Sequence, residues 1–297
     1  MNFRKQRLLC SWMEESIFLE HLKWCSQKDN DNLESLVARW RSAREKLTSI
    51  SRNEKGAADG LTLRPLPESL DAKIREVTSQ PAFKNEFAED SEFKLVGIDN
   101  LVVPQLAVYL DYAEQLVSKY PKNPSLEQLF SICIALQRVH SDVSEVKLNN
   151  SNRIFYAPSK DFRFIRLISE NVENRVSPEL IKGIPVIGFG ALLGFGLPVV
   201  NVLSTGGRMI LKNGLHRLFA LKSMGVSEVP AIVVFQNASE KIGDFNLEYL
   251  LDSPRPPLLK DFFNPALTIE VSLIPRKKGI RLSLTAETFY TQDSTAD

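Results

Sequence analysis

Hydrophobic side chains in the first 90 residues recur at the spacing typical of helices. Ser11–Ser26 is rich in apolar residues, and in Asn32–Ser49 they fall on one stripe at i, i+3, i+4 and i+7, as in an amphipathic helix. The polar Ser51–Pro67 stretch contains Gly and Pro and predicts a linker, and Glu68–Ser79 predicts a shorter helix. The pattern therefore predicts a helical N-terminal region over residues 1–90.

The pattern becomes mixed after residue 90. A short strand and turn are predicted over Lys94–Leu101. Helices are predicted over about Gln105–Ser118 and about Leu126–His140, the second with a capping-box start in which Ser125 lies three residues before a Gln. Two aromatic and β-branched runs fit a strand or a helix equally well, namely Arg153–Tyr156 and Phe162–Leu167.

The clearest local pattern is a strand–turn–helix–strand unit over Met209–Phe235. Its helix, about Leu215–Met224, is ended by Gly225 as a C-cap, and Val229–Phe235 is the following strand. Upstream of it, the sequence predicts buried strands and a tight turn, at Ile184–Ile187, Val199–Leu203 and Thr205–Arg208.

Near the C-terminus, apolar and polar residues alternate in two short segments. One contains Ile269, Val271 and Leu273, and the other contains Ile280, Leu282 and Leu284. A basic turn separates them, so the sequence predicts a β-hairpin that closes the C-terminal region, residues 241–297.

Composition narrows the possible functions. A formal net charge of +1 over 297 residues gives no global field of the kind found in strong nucleic-acid or membrane-surface binders. Three widely spaced cysteines argue against a disulfide framework and favour the cytoplasm. The longest apolar stretch, Ile184–Leu203, is interrupted by glycines, so no membrane span is expected.

The turn before the predicted helix has the chemistry of an anion site. Gly214 lacks a Cβ, which permits a sharp turn and a close approach by a ligand. The first N–H groups of the helix carry partial positive charge. Arg217 adds a fork of donors suited to phosphate, His216 adds a titratable donor, and Asn213 can cap the helix or bind a ligand.

The Gly-Leu-His-Arg turn, in this strand–helix setting, resembles the phosphate-binding turn of the ParB/sulfiredoxin superfamily. The resemblance is close over about 35 residues and looser over Leu95–Phe235. It implies an α+β fold: the helical N-terminal region, a small mixed-sheet ParB/sulfiredoxin-like domain over residues 91–240 that holds a helical insertion, and the C-terminal loop and hairpin.

The resemblance implies a nucleotide or other phosphate-containing small molecule as ligand, such as a nucleoside di- or triphosphate with Mg²⁺. The predicted binding residues are Asn213, Gly214, Leu215, His216 and Arg217. Leu215 stands where sulfiredoxins have a catalytic Cys and ParB-type proteins have Glu, so no catalytic group is identified. No metal-ligand pattern is evident in the chain.

Three alternatives remain. The protein could be a small-molecule phosphotransferase, because kinases of free serine resemble this superfamily. It could bind nucleic acid or a protein partner through a degenerate site, using the basic helix around Arg39–Lys46, the other N-terminal helices, or the Lys277–Lys278 tip. The turn could also serve only the local bend and local hydrogen bonds.

Overall fold

The computed structural model describes residues 4–25, 32–87, 91–135, 143–149, 152–157, 162–171, 187–235, 241–242, 245–274 and 278–283. The chain forms two compact units. The first comprises Met1–Arg138 with Leu197–Pro275, and the second comprises Val139–Gly196 with Arg276–Asp297. Helices and several small sheets occur together, which confirms the predicted α+β class.

The helices of the first unit are α1 (Glu15–Leu22), α2 (Leu33–Asn53), α3 (Asp71–Ser79), α4 (Pro81–Glu86), α5 (Leu110–Lys119), α6 (Leu126–Cys133), α7 (Leu215–Ser223) and α8 (Leu247–Asp252). Its strands are β1 (Arg4–Leu8), β2 (Arg64–Pro65), β3 (Ser91–Gly97), β4 (Ala107–Tyr109), β9 (Asn201–Thr205), β10 (Arg208–Asn213), β11 (Glu228–Phe235), β12 (Lys241–Ile242), β13 (Phe245–Asn246) and β14 (Ile269–Leu273). Short 3₁₀ helices lie at Cys10–Trp12, Glu68–Leu70 and Leu259–Phe263.

A five-stranded sheet, in the order β10-β9-β11-β3-β2, supports the predicted strand–turn–helix–strand unit. Gly206 and Gly207 both have positive φ, and they form the tight turn between β9 and β10. The chain then runs through α7 into β11, which pairs parallel to β9 and antiparallel to β3. Gly225, with φ +86°, follows the end of α7, as the sequence predicted.

The N-terminal region contains the predicted helices but begins with a strand. In a second sheet, β1 lies between β14 and β4 and pairs antiparallel with both. The alternating segment Ile269–Leu273 is therefore a strand, as predicted, but its partner is β1. The predicted hairpin between the two C-terminal alternating segments is wrong, because the second segment pairs within the other unit.

In the second unit the described residues form strands. These are β5 (Ser144–Lys147), β6 (Asn152–Ala157), β7 (Phe162–Asn171), β8 (Ile187–Phe195) and β15 (Lys278–Ser283). They pair as the sheet β15-β6-β5 and the hairpin β7-β8. The helices predicted at about Gln105–Ser118 and Leu126–His140 are present as α5 and α6, in the first unit. The two runs that fitted a strand or a helix equally well, Arg153–Tyr156 and Phe162–Leu167, lie in strands.

The helix α6 begins with the predicted capping box, in which Ser125 Oγ accepts from Gln128 N–H and Gln128 Oε1 accepts from Ser125 N–H. The helix ends at Cys133, and the predicted continuation to His140 falls mostly outside the described residues. The tip residue Lys277 also lies outside them.

Two hydrophobic clusters occupy the first unit. The larger joins the five-stranded sheet to β1, β14 and the packed faces of several helices. The smaller contains Leu203, Ile210 and Leu258, together with residues of α8. Among the helices that the structure describes, none combines the length and the apolarity needed to cross a membrane.

Candidate functional site

The turn between β10 and α7 depends on Gly214. Its φ is +106° and its ψ is +10°, a left-handed conformation that residues with a Cβ rarely adopt. A Cβ at this position would lie 3.0 Å from Cγ2 and 3.2 Å from Cα of Val200. Gly214 therefore allows Val200, the residue before β9, and the start of α7 to approach each other closely.

The Asn213 side chain closes this turn. Its Oδ1 accepts a hydrogen bond from the N–H of Gly214 at 2.9 Å, and its Nδ2 donates to the carbonyl oxygen of Leu197 at 2.8 Å. No side chain caps α7, whose N-cap residue is Gly214 itself. Both polar atoms of Asn213 are therefore engaged in shaping the turn, and the first turn of α7 keeps N–H groups that no side-chain cap satisfies.

His216 points towards the segment that joins β4 to α5. Its Nε2 accepts a hydrogen bond from the backbone N–H of Tyr109 at 3.0 Å. Its ring stacks on Tyr109 at 5.7 Å and meets the edge of Tyr112 at 5.4 Å, both measured between centroids. Because Nε2 acts as an acceptor, the imidazole in this arrangement is neutral and carries its proton on Nδ1.

Arg217 lies beside the end of α6 and the end of α5. Its Nη1 donates to the carbonyl oxygen of Cys133 at 3.3 Å, and its guanidinium lies near the Tyr120 side chain. Burial raises the pKa of Tyr120, and Arg217 opposes that rise. Among the residues that the structure describes, Arg217 forms no salt bridge with a carboxylate.

The three cysteines, all in the described part of the chain, are buried and form no disulfide. Burial raises the pKa of Cys133 to about 12, with Arg217 opposing the rise, and burial likewise raises the pKa of Cys10 to about 12. Both thiols are therefore protonated at neutral pH and are poor nucleophiles.

A shallow crevice adjoins the turn. Its lining includes Lys212, Asn213 and Leu215, together with the segment Val103–Gln105. Neither His216 nor Arg217 lines it, and it is too small to enclose a water molecule. The Leu215 side chain is only 4% exposed, so it belongs to the core, whereas Lys212 is exposed.

The structure thus places the five predicted residues in one turn but gives them different surroundings. These surroundings are set by neighbours that no sequence pattern pointed to, namely Tyr109, Tyr112, Tyr120, Cys133 and Val200. Three of them are tyrosines in or beside α5, and their spacing in the sequence does not predict that they contact α7. In the described part of the chain, no group of three or more His, Cys, Asp or Glu residues could hold a metal ion.

No protein-family model, no curated protein and no solved structure matches this chain.

Proposed function

We propose that the start of α7 binds a phosphate group of a nucleotide or of another phosphate-containing small molecule. The observation that carries this proposal is the pairing of an uncapped helix start with Arg217, which has no carboxylate partner among the described residues. Uncapped N–H groups and the helix dipole favour an anion, and a guanidinium can bind two phosphate oxygens at once.

Within this proposal the five residues have separate roles. Leu215 and Arg217 offer backbone N–H groups, and Arg217 also offers its guanidinium. Gly214 permits the left-handed turn against Val200, and Asn213 holds the turn through its bonds to Gly214 and Leu197. His216 contributes position rather than charge, because its Nε2 already accepts from Tyr109.

The nucleotide part of the proposal rests on the resemblance of the Gly-Leu-His-Arg turn to that of ParB/sulfiredoxin proteins. A Mg²⁺ ion would be coordinated mainly by the phosphates of the nucleotide, because the described residues include no cluster of side chains that could hold a metal ion.

Calorimetric titration with ATP, ADP, CTP, GTP and inorganic phosphate, each with and without magnesium, tests the proposal. We expect at least one of them to bind, and Arg217→Gln to weaken binding by roughly 10- to 150-fold, since a lost charge-assisted hydrogen bond costs about 1.5–3 kcal/mol. Arg52→Gln, an exposed arginine near the end of α2, is the matched control and should leave affinity unchanged. Absence of binding at millimolar ligand rules the proposal out.

A second candidate is a phosphotransferase, which would need a general base close to the bound phosphate. One observation favours it. Asp111 Oδ1 is shielded from solvent and has no hydrogen-bond partner among the described residues. Asp111 precedes Tyr112, whose ring contacts His216 at the start of α7. Under this candidate, Asp111→Asn abolishes phosphoryl transfer to a small hydroxylated acceptor while nucleotide affinity stays within about twofold.

A further inference from the structure

In the second unit, few of the residues whose burial the structure describes are buried. Among its residues whose burial is described, only Ala157, Phe162 and Gly196 are buried. Seven of the fifteen exposed large hydrophobic side chains of the described chain belong to it, namely Val143, Val146, Leu148, Phe164, Ile165, Leu167 and Leu192. Small sheets are marginally stable in water unless a face is packed, and clustered exposed apolar side chains mark interaction surfaces.

The strand β5 forms one edge of the sheet β15-β6-β5. All of its residues, Ser144–Lys147, are exposed, and so are Val143 and Leu148 beside it. No strand among the described residues pairs with its outer side. An open edge of this kind presents unpaired N–H and C=O groups, which makes it a template for another strand.

The hydrogen bonds of the ladder show which residues face outwards. Leu148 donates its N–H to the carbonyl oxygen of Asn152, towards β6. Backbone groups alternate in direction along an antiparallel strand, so Val146 also faces β6, whereas Glu145 and Lys147 turn their N–H and C=O groups to the open edge.

This alternation leaves few registers for antiparallel pairing of β5 with another β5 strand. Pairing centred on Glu145 sets two glutamates against each other, and pairing centred on Lys147 does the same with two lysines. Pairing centred on Val146 sets Glu145 opposite Lys147 twice. The last register alone joins outward-facing residues while matching opposite charges.

We propose that β5 is a homodimerisation edge. It pairs antiparallel with β5 of a second copy about a twofold axis at Val146, which extends the sheet to β15-β6-β5-β5-β6-β15. Val146 then meets its own symmetry counterpart, and the contact between Glu145 and Lys147 occurs twice, as the reciprocal interface of a closed twofold dimer requires.

Both faces of the joined sheet suit this register. On one face, Val146 contacts its symmetry mate, with Leu148 from each copy beside the pair. On the other face, Lys147 lies opposite Arg153 of its own chain, so two positive charges are neighbours. Arg153 also forms a salt bridge with Glu145 of the same chain, at 2.6 Å between Nη1 and Oε1. Glu145 of the second copy places a carboxylate next to Lys147 and relieves this repulsion.

Sedimentation velocity on the full chain tests the proposal. The short strands predict a weak dimer, visible as a concentration-dependent rise in sedimentation coefficient at micromolar to submillimolar protein. Glu145→Lys and Lys147→Glu, each alone, turn two attractive pairs into two repulsive ones, so each variant should dimerise at least about tenfold more weakly. Mixed together, the two variants regain complementary pairs and should form a heterodimer.

Restoration in the mixture also shows that both variants are folded. Lys119→Glu, the same charge change on an exposed residue of α5, is the control and should dimerise like the wild type. A wild-type protein that stays monomeric at submillimolar concentration overturns the proposal. So does undiminished self-association of both single variants, or a mixture that stays as monomeric as its components.

Discussion

The Nε2 atom of His216 accepts a hydrogen bond from the backbone N–H of Tyr109, at a distance of 3.0 Å. This bond joins the first turn of α7 to the segment that leads into α5. Because His216 already has this structural partner, Arg217 is the side chain of the turn best placed to bind an anion.

His216→Phe should keep the aromatic contacts and remove the acceptor. The Tyr109 N–H is then left without its partner in a half-buried place, and we expect the free energy of unfolding to fall by about 1–3 kcal/mol. Urea denaturation measures the loss, and phosphate affinity is the second readout. A variant that loses as much affinity as Arg217→Gln but no stability would show that His216 contacts the ligand directly.

Gly214→Ala should destabilise the protein through both strain and contact. The left-handed backbone disfavours a Cβ, and the added methyl meets Val200 at 3.0 Å, so we expect a loss of about 2–4 kcal/mol. Gly225→Ala is the matched control, because φ is +86° there and nothing lies within 4 Å of the new Cβ. Its loss should be about 1–2 kcal/mol. Equal losses in thermal or urea unfolding would contradict the close approach of Val200.

Arg255 is the centre of a buried ion network. Its side chain is 1% exposed and binds Asp261, itself 3% exposed, at 2.6 Å. Removing the cation leaves a buried carboxylate without its partner, so Arg255→Met should cost about 3–5 kcal/mol. Lys73→Met breaks the exposed pair with Glu127 and should cost less than about 1 kcal/mol in the same denaturation experiment. Similar costs for the two variants would show that Arg255 is not buried as described.

Glu54 predicts a pH dependence of stability. A hydrogen bond from Lys260, followed by the charge of Arg255, lowers the pKa of Glu54 below its ordinary value of 4.5. A lowered pKa favours the folded state above that value, and the gain is lost as the pH falls through the folded-state pKa. Glu54→Gln should therefore be less stable than the wild type at pH 7. The two proteins should be equally stable when both are measured well below pH 4.5.

The control for this titration is Glu114→Gln, on the exposed side of α5, which has no ion pair in the described part of the chain. Its stability should follow the wild type at every pH tested. A gap between wild type and Glu54→Gln that persists unchanged at low pH would mean that Glu54 acts through packing rather than through its charge.

Local signals in the sequence predicted the elements around the candidate site. Gly214 and Gly225 mark the start and end of α7, and the Ser125–Gln128 capping box marks the start of α6; each is a feature of a few consecutive residues. Alternation also predicted that Ile269–Leu273 is a strand. Alternation sets the faces of a strand but not its partner, so the hairpin was predicted in place of pairing with β1.

The contacts around the turn could not be predicted from the sequence either, because they join residues that are far apart along the chain. His216 meets a residue 107 positions away, and Arg217 donates to a carbonyl oxygen 84 positions away. The motif identified which groups could bind an anion. Only the tertiary contacts show that Nε2 of His216 is already engaged by a backbone amide.

The place of β1 between β4 and β14 has a consequence for biogenesis. The ion pair between Arg7 and Glu270 spans 263 positions, and the strands that contain them are direct neighbours. During translation β1 emerges early, but one of its edges has no native partner until β14 has left the ribosome. The nascent chain must therefore keep an unpaired strand edge from wrong pairings until β14 appears, a task suited to chaperones that hold unfolded segments.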